Sequence, residues 1–170
     1  MFIATSFGQD KFITKSGSVT FFSSAPMEDI KADNKQVLSI IDTSNGEMAI
    51  SILMKSFMFK KSLMREHFNE NYIESDKFPK SIFKGKIIDF DSADVGSKKI
   101  EIDGTIKIHG ITKNIKIQAD IQRTEEKITL KGEFFVKVSD FKIKIPAIVV
   151  NNIGKKIKVS FELNHVPSKK

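Results

Sequence analysis

Five stretches of this chain alternate apolar and polar residues with a period of two, a pattern that extended strands satisfy and helices do not. Met48, Ile50, Ile52 and Met54 stand against Glu47, Ser51 and Lys55, and Ile100, Ile102, Ile106 and Ile108 against Glu101, Asp103, Thr105 and Lys107. The period recurs in Ile115, Ile117, Ala119 and Ile121, in Ile128, Leu130, Phe134, Val136 and Val138, and in Ile157, Val159, Phe161 and Leu163. Successive strand side chains point to opposite faces, so each run has one wet side and one dry side. So many dry sides can be covered only by one another. Two all-β architectures do this: a two-sheet sandwich, and an up-and-down antiparallel barrel of about eight strands whose interior is either filled or holds one small ligand.

With 170 residues and 40% hydrophobic content, the chain builds one domain with a real core. Lys and Arg number 28 against 21 Asp and Glu, a net charge of +7. The excess is dispersed over strand exteriors (Lys107, Lys116, Lys127, Lys131, Lys137, Lys156, Lys158) instead of gathering beside stacking aromatics, so no nucleic-acid partner is expected. Cysteine is absent, which excludes disulfides, thiolate nucleophiles and cysteine metal sites. Residues 1–9 are apolar and small, with Ser6 and Gly8 spaced like the residues before a signal-peptidase cut. They read either as the remnant of a signal peptide, which predicts a periplasmic or secreted protein, or as an ordinary first strand or leader. Nothing else approaches the roughly 18 apolar residues of a membrane span, so stable insertion in a membrane is not expected. The domain is expected over residues 10–166, with a tail at 167–170.

The first half reads as short strands at residues 12–14 and 19–24, a polar connection through Pro26 and Asp33-Asn34, a strand at 36–42, and a Ser44-Asn45-Gly46 hairpin turn into the strand from Glu47. Residues 57–72 form the one helix-like segment, with Met64, Phe68 and Tyr72 as a stripe that must cover something apolar. After Pro79 come strands at 81–90, 99–108, 114–122, 127–137 and 155–164, joined by short connections that make them antiparallel neighbours. Gly85, Gly104, Gly132 and Ala119 fall on the inward parity of their strands, where small residues allow coiling and leave room inside. That favours the barrel over the sandwich, the alternative being bends in a packed core.

Residues 62–85 carry a more specific pattern. Arg65-Glu66-His67 on a short helix is followed by an acidic turn, the pair Phe78-Pro79 and a strand with Phe83 inward. This resembles the signature of the YceI-like family. Gly104-Thr105-Ile106-Lys107-Ile108-His109-Gly110-Ile111-Thr112-Lys113 is similar to that family's strand-turn segment, Ser18-Val19-Thr20-Phe21 to its opening strand, and Ser139-Asp140-Phe141 to its late turn. The resemblance implies an exported, lipocalin-like eight-stranded barrel with one short helix covering it, enclosing an apolar tunnel for a polyisoprenoid chain or related amphiphile. In the commoner family pattern a residue separates the Arg-acid pair from the His, whereas here the three are contiguous, so no headgroup role carries over to any one of them.

A buried methylene is worth roughly 0.8 kcal/mol, so an apolar tunnel can hold a lipid chain with no polar machinery. The expected lining is Phe21, Met48, Ile50, Ile52, Met54, Phe68, Tyr72, Phe83, Ile102, Ile106, Ile117, Ala119, Phe134, Val136, Val159 and Phe161, with Arg65, His67 and Asn71 as headgroup or loop contacts. Catalysis is poorly supplied: there are three histidines, one tyrosine and no G-x-S-x-G nucleophile elbow, so no enzymatic activity is expected. His109 reads as a turn histidine that is solvated or backbone-bonded, and His165 as a residue past the last strand. His67 with Glu66 and Glu70 lacks the second carboxylate helix that a metal site of that kind needs, so neither metal nor cofactor is expected beyond a bound lipid. The expected function is to sequester or carry an isoprenoid or similar long-chain amphipathic lipid, with no protein partner indicated. A filled structural or interaction barrel is the second reading, and a hydrolase or isomerase acting inside the tunnel the third.

Overall fold

A computed structural model describes residues 10–24, 29–144 and 156–168. The leader at 1–9, the connection at Pro26, Lys155 and the last two tail residues lie outside the described residues. Eight long strands form one antiparallel wall: β1 (Lys11–Ser23), β2 (Ile30–Asp42), β3 (Glu47–Leu53), β5 (Lys80–Ile87), β6 (Gly96–Ile108), β7 (Ile111–Arg123), β8 (Ile128–Lys137) and β9 (Lys156–Pro167), with the short β4 (Met58–Phe59) added at one edge of β2. Each long strand pairs with its neighbours in sequence, and β1 pairs with both β2 and β9, which closes the sheet into an up-and-down barrel. The Asn-Gly signal at residues 45–46 is a tight turn, with Gly46 at φ +81° and its N–H donating to the Asp42 carbonyl at 2.8 Å.

The structure differs from the expected element map in three places. The two short strands at the start are one strand, β1, whose polar Lys15-Ser16-Gly17 step is a bulge where the register with β2 shifts. A Cβ on Gly17 would stand 2.6 Å from Leu163 Cδ2, so the strand kinks where its neighbours approach most closely. Asp33 and Asn34 are not a turn but part of β2. Their polar side chains are absorbed locally: Thr20 Oγ1 donates to Asp33 Oδ1 at 2.6 Å, while fully buried Asn34 donates to the Leu53 carbonyl and accepts from the Gln36 N–H. Finally, the helix α1 spans only Ser62–His67 and runs into one π-helical turn, Phe68–Tyr72. Residues 57–59 are extended, and β4 pairs with Ala32 and Asp33 of β2.

The inward glycines do not widen the interior. A Cβ on Gly85 would meet the Phe83 ring at 2.7 Å, and one on Gly132 the Phe161 ring at 2.9 Å. Gly104 faces Gly85 across the β5–β6 ladder, and any side chain on it would run into the Lys84 carbonyl. These glycines seat aromatic rings against bare backbone and let strands approach, which is the packed-core use of small residues. The half of the barrel away from α1 is accordingly packed through its centre, with Ile41, Ile87, Ile102, Ile128, Leu130 and Leu163 fully buried, and a smaller pocket of about 130 Å³ at its far end lies between Ile87, Ile100 and Ile121 and the polar 90–98 loop.

His165 lies within β9 and not past it, and it is fully buried in that packed half. Its Nδ1 donates to the Ile128 carbonyl at 3.0 Å, and its Nε2 accepts the Ser39 hydroxyl at 2.7 Å. A neutral ring satisfies both bonds, and burial lowers its pKa to about 4. Between its ordinary value near 6.5 and about 4 the unfolded chain therefore binds the proton that the folded one refuses, so stability falls as pH falls through that window. We expect this residue to cost about 2 kcal/mol of stability at pH 5 relative to pH 8. Urea unfolding at the two pH values checks this, since His165→Gln, whose amide does not titrate, should lose that part of the slope whatever its absolute stability.

Candidate functional site: an apolar cavity at the helix end

The other half of the barrel is hollow. A cavity of about 260 Å³ lies between the inward faces of β1, β6, β8 and β9 and the segment from Met54 to Ile73 that folds over them. Among the described residues, no Asp, Glu, Lys or Arg side chain lines it. The expected helix stripe faces inward as its spacing required, since Met64, Phe68 and Tyr72 all line the cavity. Phe57 and Phe59 join them from an extended stretch whose period of two (Phe57 in, Met58 out, Phe59 in) is the signal that a helical reading of this region passes over. Phe21, Phe57, Phe59 and Phe68 form a cluster with ring centroids 5.1–5.8 Å apart in tilted and edge-on pairs, the arrangements that the aromatic quadrupole favours.

Nine of the sixteen residues expected to line a tunnel do line this cavity: Phe21, Ile52, Met54, Phe68, Tyr72, Ile106, Phe134, Val136 and Val159. The remaining seven do not. Met48, Phe83, Ile102, Ile117, Ala119 and Phe161 are buried in the packed half, and Ile50 packs against it. Parity along a strand identifies the inward face but carries no information on where along that face the packing stops. Phe141 and Ile143 line the cavity from a 3₁₀ turn (Val138–Phe141) and the residues after it, and no periodicity marks them.

Among the described residues, four in the lining carry polar oxygen or nitrogen side-chain atoms: Ser23, His67, Tyr72 and Ser81. Ser81 Oγ is turned to Met54 Sδ at 3.5 Å. Asn71 Nδ2 donates to His67 Nδ1 at 2.9 Å, which leaves the other ring nitrogen as an N–H donor. Burial raises the Tyr72 phenol above its ordinary value, so it stays a neutral O–H. Of the three expected headgroup contacts, His67 reaches the cavity, Asn71 acts through His67, and Arg65 donates from Nη2 to the Lys55 carbonyl at 3.2 Å instead.

Between β7 and β8 the ladder stops at Ala119↔Gly132, and among the described residues no strand pairs with residues 111–118 of β7 on that side. The 3₁₀ turn fills the gap, with Phe141 buried at its end. A two-residue loop between β6 and β7, His109 at φ +53° and Gly110 at φ +75°, holds it there. His109 Nδ1 donates to the Phe141 carbonyl at 2.9 Å, and Nε2 meets Glu74 Oε2 at 2.6 Å. Of the two expected settings, solvated or backbone-bonded, the turn histidine takes the second, while its carboxylate partner comes from a residue 35 positions earlier that no local pattern identifies. The bond from His109 holds the Glu74 carboxyl below the usual range, with Lys77 and Lys144 adding to it.

Two measurements follow from this geometry. Removing the ring at the centre of the aromatic cluster should cost about 3 kcal/mol, so Phe68→Ala is expected to unfold at markedly lower urea concentration. In a carboxyl NMR titration Glu74 should titrate below an ordinary glutamate and return toward the normal range in His109→Gln.

Residues 7–165 match the model of the YceI-like domain. Among solved structures, the chain is similar to a polyisoprenoid-binding domain from Saccharophagus degradans implicated in plant cell wall breakdown (TM-score 0.81, 16% identity, 94% of this chain and 99% of that one). It is also similar to Burkholderia cenocepacia BcnA (TM-score 0.73, 15% identity, 87% and 95%) and to a Campylobacter jejuni YceI protein (TM-score 0.67, 19% identity, 86% and 90%). No curated protein matches it. With the family's domain matched over residues 7–165 and the expected closed barrel in place, the chain belongs to the YceI-like family.

Proposed function

We propose that this protein binds the apolar chain of an isoprenoid or similar amphipathic lipid in the helix-end cavity, and that it carries or sequesters the lipid without chemically altering it. The observation that carries this reading is a hollow of about 260 Å³ lined, among the described residues, by no Asp, Glu, Lys or Arg, in a domain whose other half is closely packed at its centre. Apolar burial alone supplies the affinity, at roughly 0.8 kcal/mol per methylene. The His67 N–H and the Tyr72 hydroxyl are donors suited to a neutral acceptor group at the head of the chain, such as a carbonyl or hydroxyl oxygen. The Saccharophagus degradans domain of the same fold, described as polyisoprenoid-binding, is consistent with this ligand class. Export of such a protein accords with the small and apolar residues at positions 1–9, and cell fractionation tests that part.

Organic extraction of purified protein followed by mass spectrometry should recover a lipid with an apolar chain, and added isoprenoid should raise the melting temperature in a concentration-dependent way. Val136→Phe places a ring in the hollow and should fold while losing that response. Ala119→Phe, in the packed half, should instead overpack the core at a cost of about 1 to 3 kcal/mol. A lipid-free extract together with no thermal response would leave a non-ligand barrel as the better account.

A further inference from the structure

The segment that folds over the cavity has a second face, turned to solvent. Met54, Phe57, Phe59, Met64 and Phe68 belong to the cavity lining, while between them Leu53, Met58 and Leu63 are 42%, 59% and 60% exposed. These three share one surface. Met58 pairs with Asp33 of β2, the Leu53 carbonyl accepts from the neighbouring Asn34 at 3.0 Å, and Arg65 ties α1 to the same turn through the Lys55 carbonyl. Residues 53–65 also carry Lys55, Lys60, Lys61 and Arg65, all exposed, and no Asp or Glu. Lys80 stands opposite Leu53 on β5 and adds a fifth cation. The acids nearby are Asp76, which meets Lys55 at 2.5 Å in an exposed pair of the kind that binds its charges weakly, and Glu66 and Glu70 on the turns that follow.

Exposed apolar side chains set among cations suit an anionic bilayer, where the cations meet headgroup phosphates and the apolar side chains enter the boundary beneath them. A nucleic acid would instead call for exposed stacking rings, and Phe57, Phe59 and Phe68 are spent on the cavity. We propose that the outer face of residues 53–65 docks on an anionic membrane surface, peripherally and with no spanning element. The same stretch of backbone carries both faces, so docking sets the cavity lining directly behind the side chains that touch the headgroups. That the docking serves exchange of lipid between bilayer and cavity rests on the function proposed above; the docking itself does not.

The test is sedimentation of the intact protein with vesicles of phosphatidylcholine alone and of phosphatidylcholine with about 30% phosphatidylglycerol. The parent should bind the anionic vesicles at least about tenfold more tightly than the neutral ones, and salt should remove most of that difference. Lys60→Gln with Lys61→Gln should weaken binding about twentyfold, at roughly fivefold per cation, and Met58→Ser with Leu63→Ser at least about tenfold. Lys86→Gln with Lys127→Gln removes the same charge beside Ile87 and Ile128 in the packed half, and should weaken binding less than about threefold. None of these side chains lines the cavity among the described residues, so each variant should keep the parent's thermal response to isoprenoid. Should the serine pair fail to fold, the two lysine pairs decide. A parent that ignores anionic vesicles overturns the proposal and leaves this face to a protein partner. Equal losses from the two lysine pairs overturn it as well, because diffuse charge would then be enough. Vesicle binding that follows the expected pattern in a protein with no thermal response to isoprenoid would leave the docking face standing and remove the lipid-cavity reading.

Discussion

The double pairing of β1 is the interaction on which everything else in this molecule depends. Its hydrogen bonds to β2 on one edge and to β9 on the other join the two ends of the meander, and without them the dry faces of eight strands would form an open sheet with nothing to cover it. Closure is also what makes an interior cavity possible. Once the wall is continuous, the inward side chains are the only material available to fill the space, and whether a hollow remains depends on their volumes rung by rung. The bulge at residues 15–17 belongs to the same requirement, because it bends β1 at the point where Leu163 and Val37 crowd its backbone.

Filling is uneven along the barrel axis, and the two halves use polar groups differently. In the packed half a buried polar group must find partners within the protein, which His165 does by placing one ring nitrogen on a carbonyl and the other on a hydroxyl. At the hollow half the polar groups with spare donors, His67 and Tyr72, sit on the segment that folds over the cavity, while the strands facing it supply almost entirely Val, Ile and Phe. An amphiphile has the same division of character, one polar end and an apolar remainder.

Much of this was readable from the residues. Period-two alternation located the long strands from β5 onward to within a few positions, and with the family resemblance it identified the closed barrel. What it could not supply was depth. Ala119, Ile117 and Ile52 share the same inward parity, yet only Ile52 meets the hollow, because cavity position depends on how rings from other strands pack across the interior. The inward glycines were legible as positions but not in purpose: a missing side chain reads equally as space and as a seat for a neighbouring ring, and here Phe83 and Phe161 take the seats. Asp33-Asn34 looked like a turn because both residue types favour turns, and tertiary hydrogen bonds to Thr20 and Leu53 overrode that preference. The pairing of His109 with Glu74 joins two chain segments with no shared pattern, so only the fold could reveal it.

The early end of the β7–β8 ladder gives the barrel an uneven stiffness. Between β6 and β7, pairing runs from Gly96↔Arg123 to Ile108↔Ile111, so parting those strands breaks a ladder whose hydrogen bonds are each worth about 1 kcal/mol. Between β7 and β8, beyond Ala119↔Gly132, a 3₁₀ turn stands beside both strands, and among the described residues no rung of the ladder joins them there. Among the described residues, what resists is Phe141 in its buried seat and the histidine bonded both to its carbonyl and to a carboxylate. The compliance of the wall is thereby gathered into one seam beside the cavity, governed by a few side chains and independent of the sheet that carries the fold.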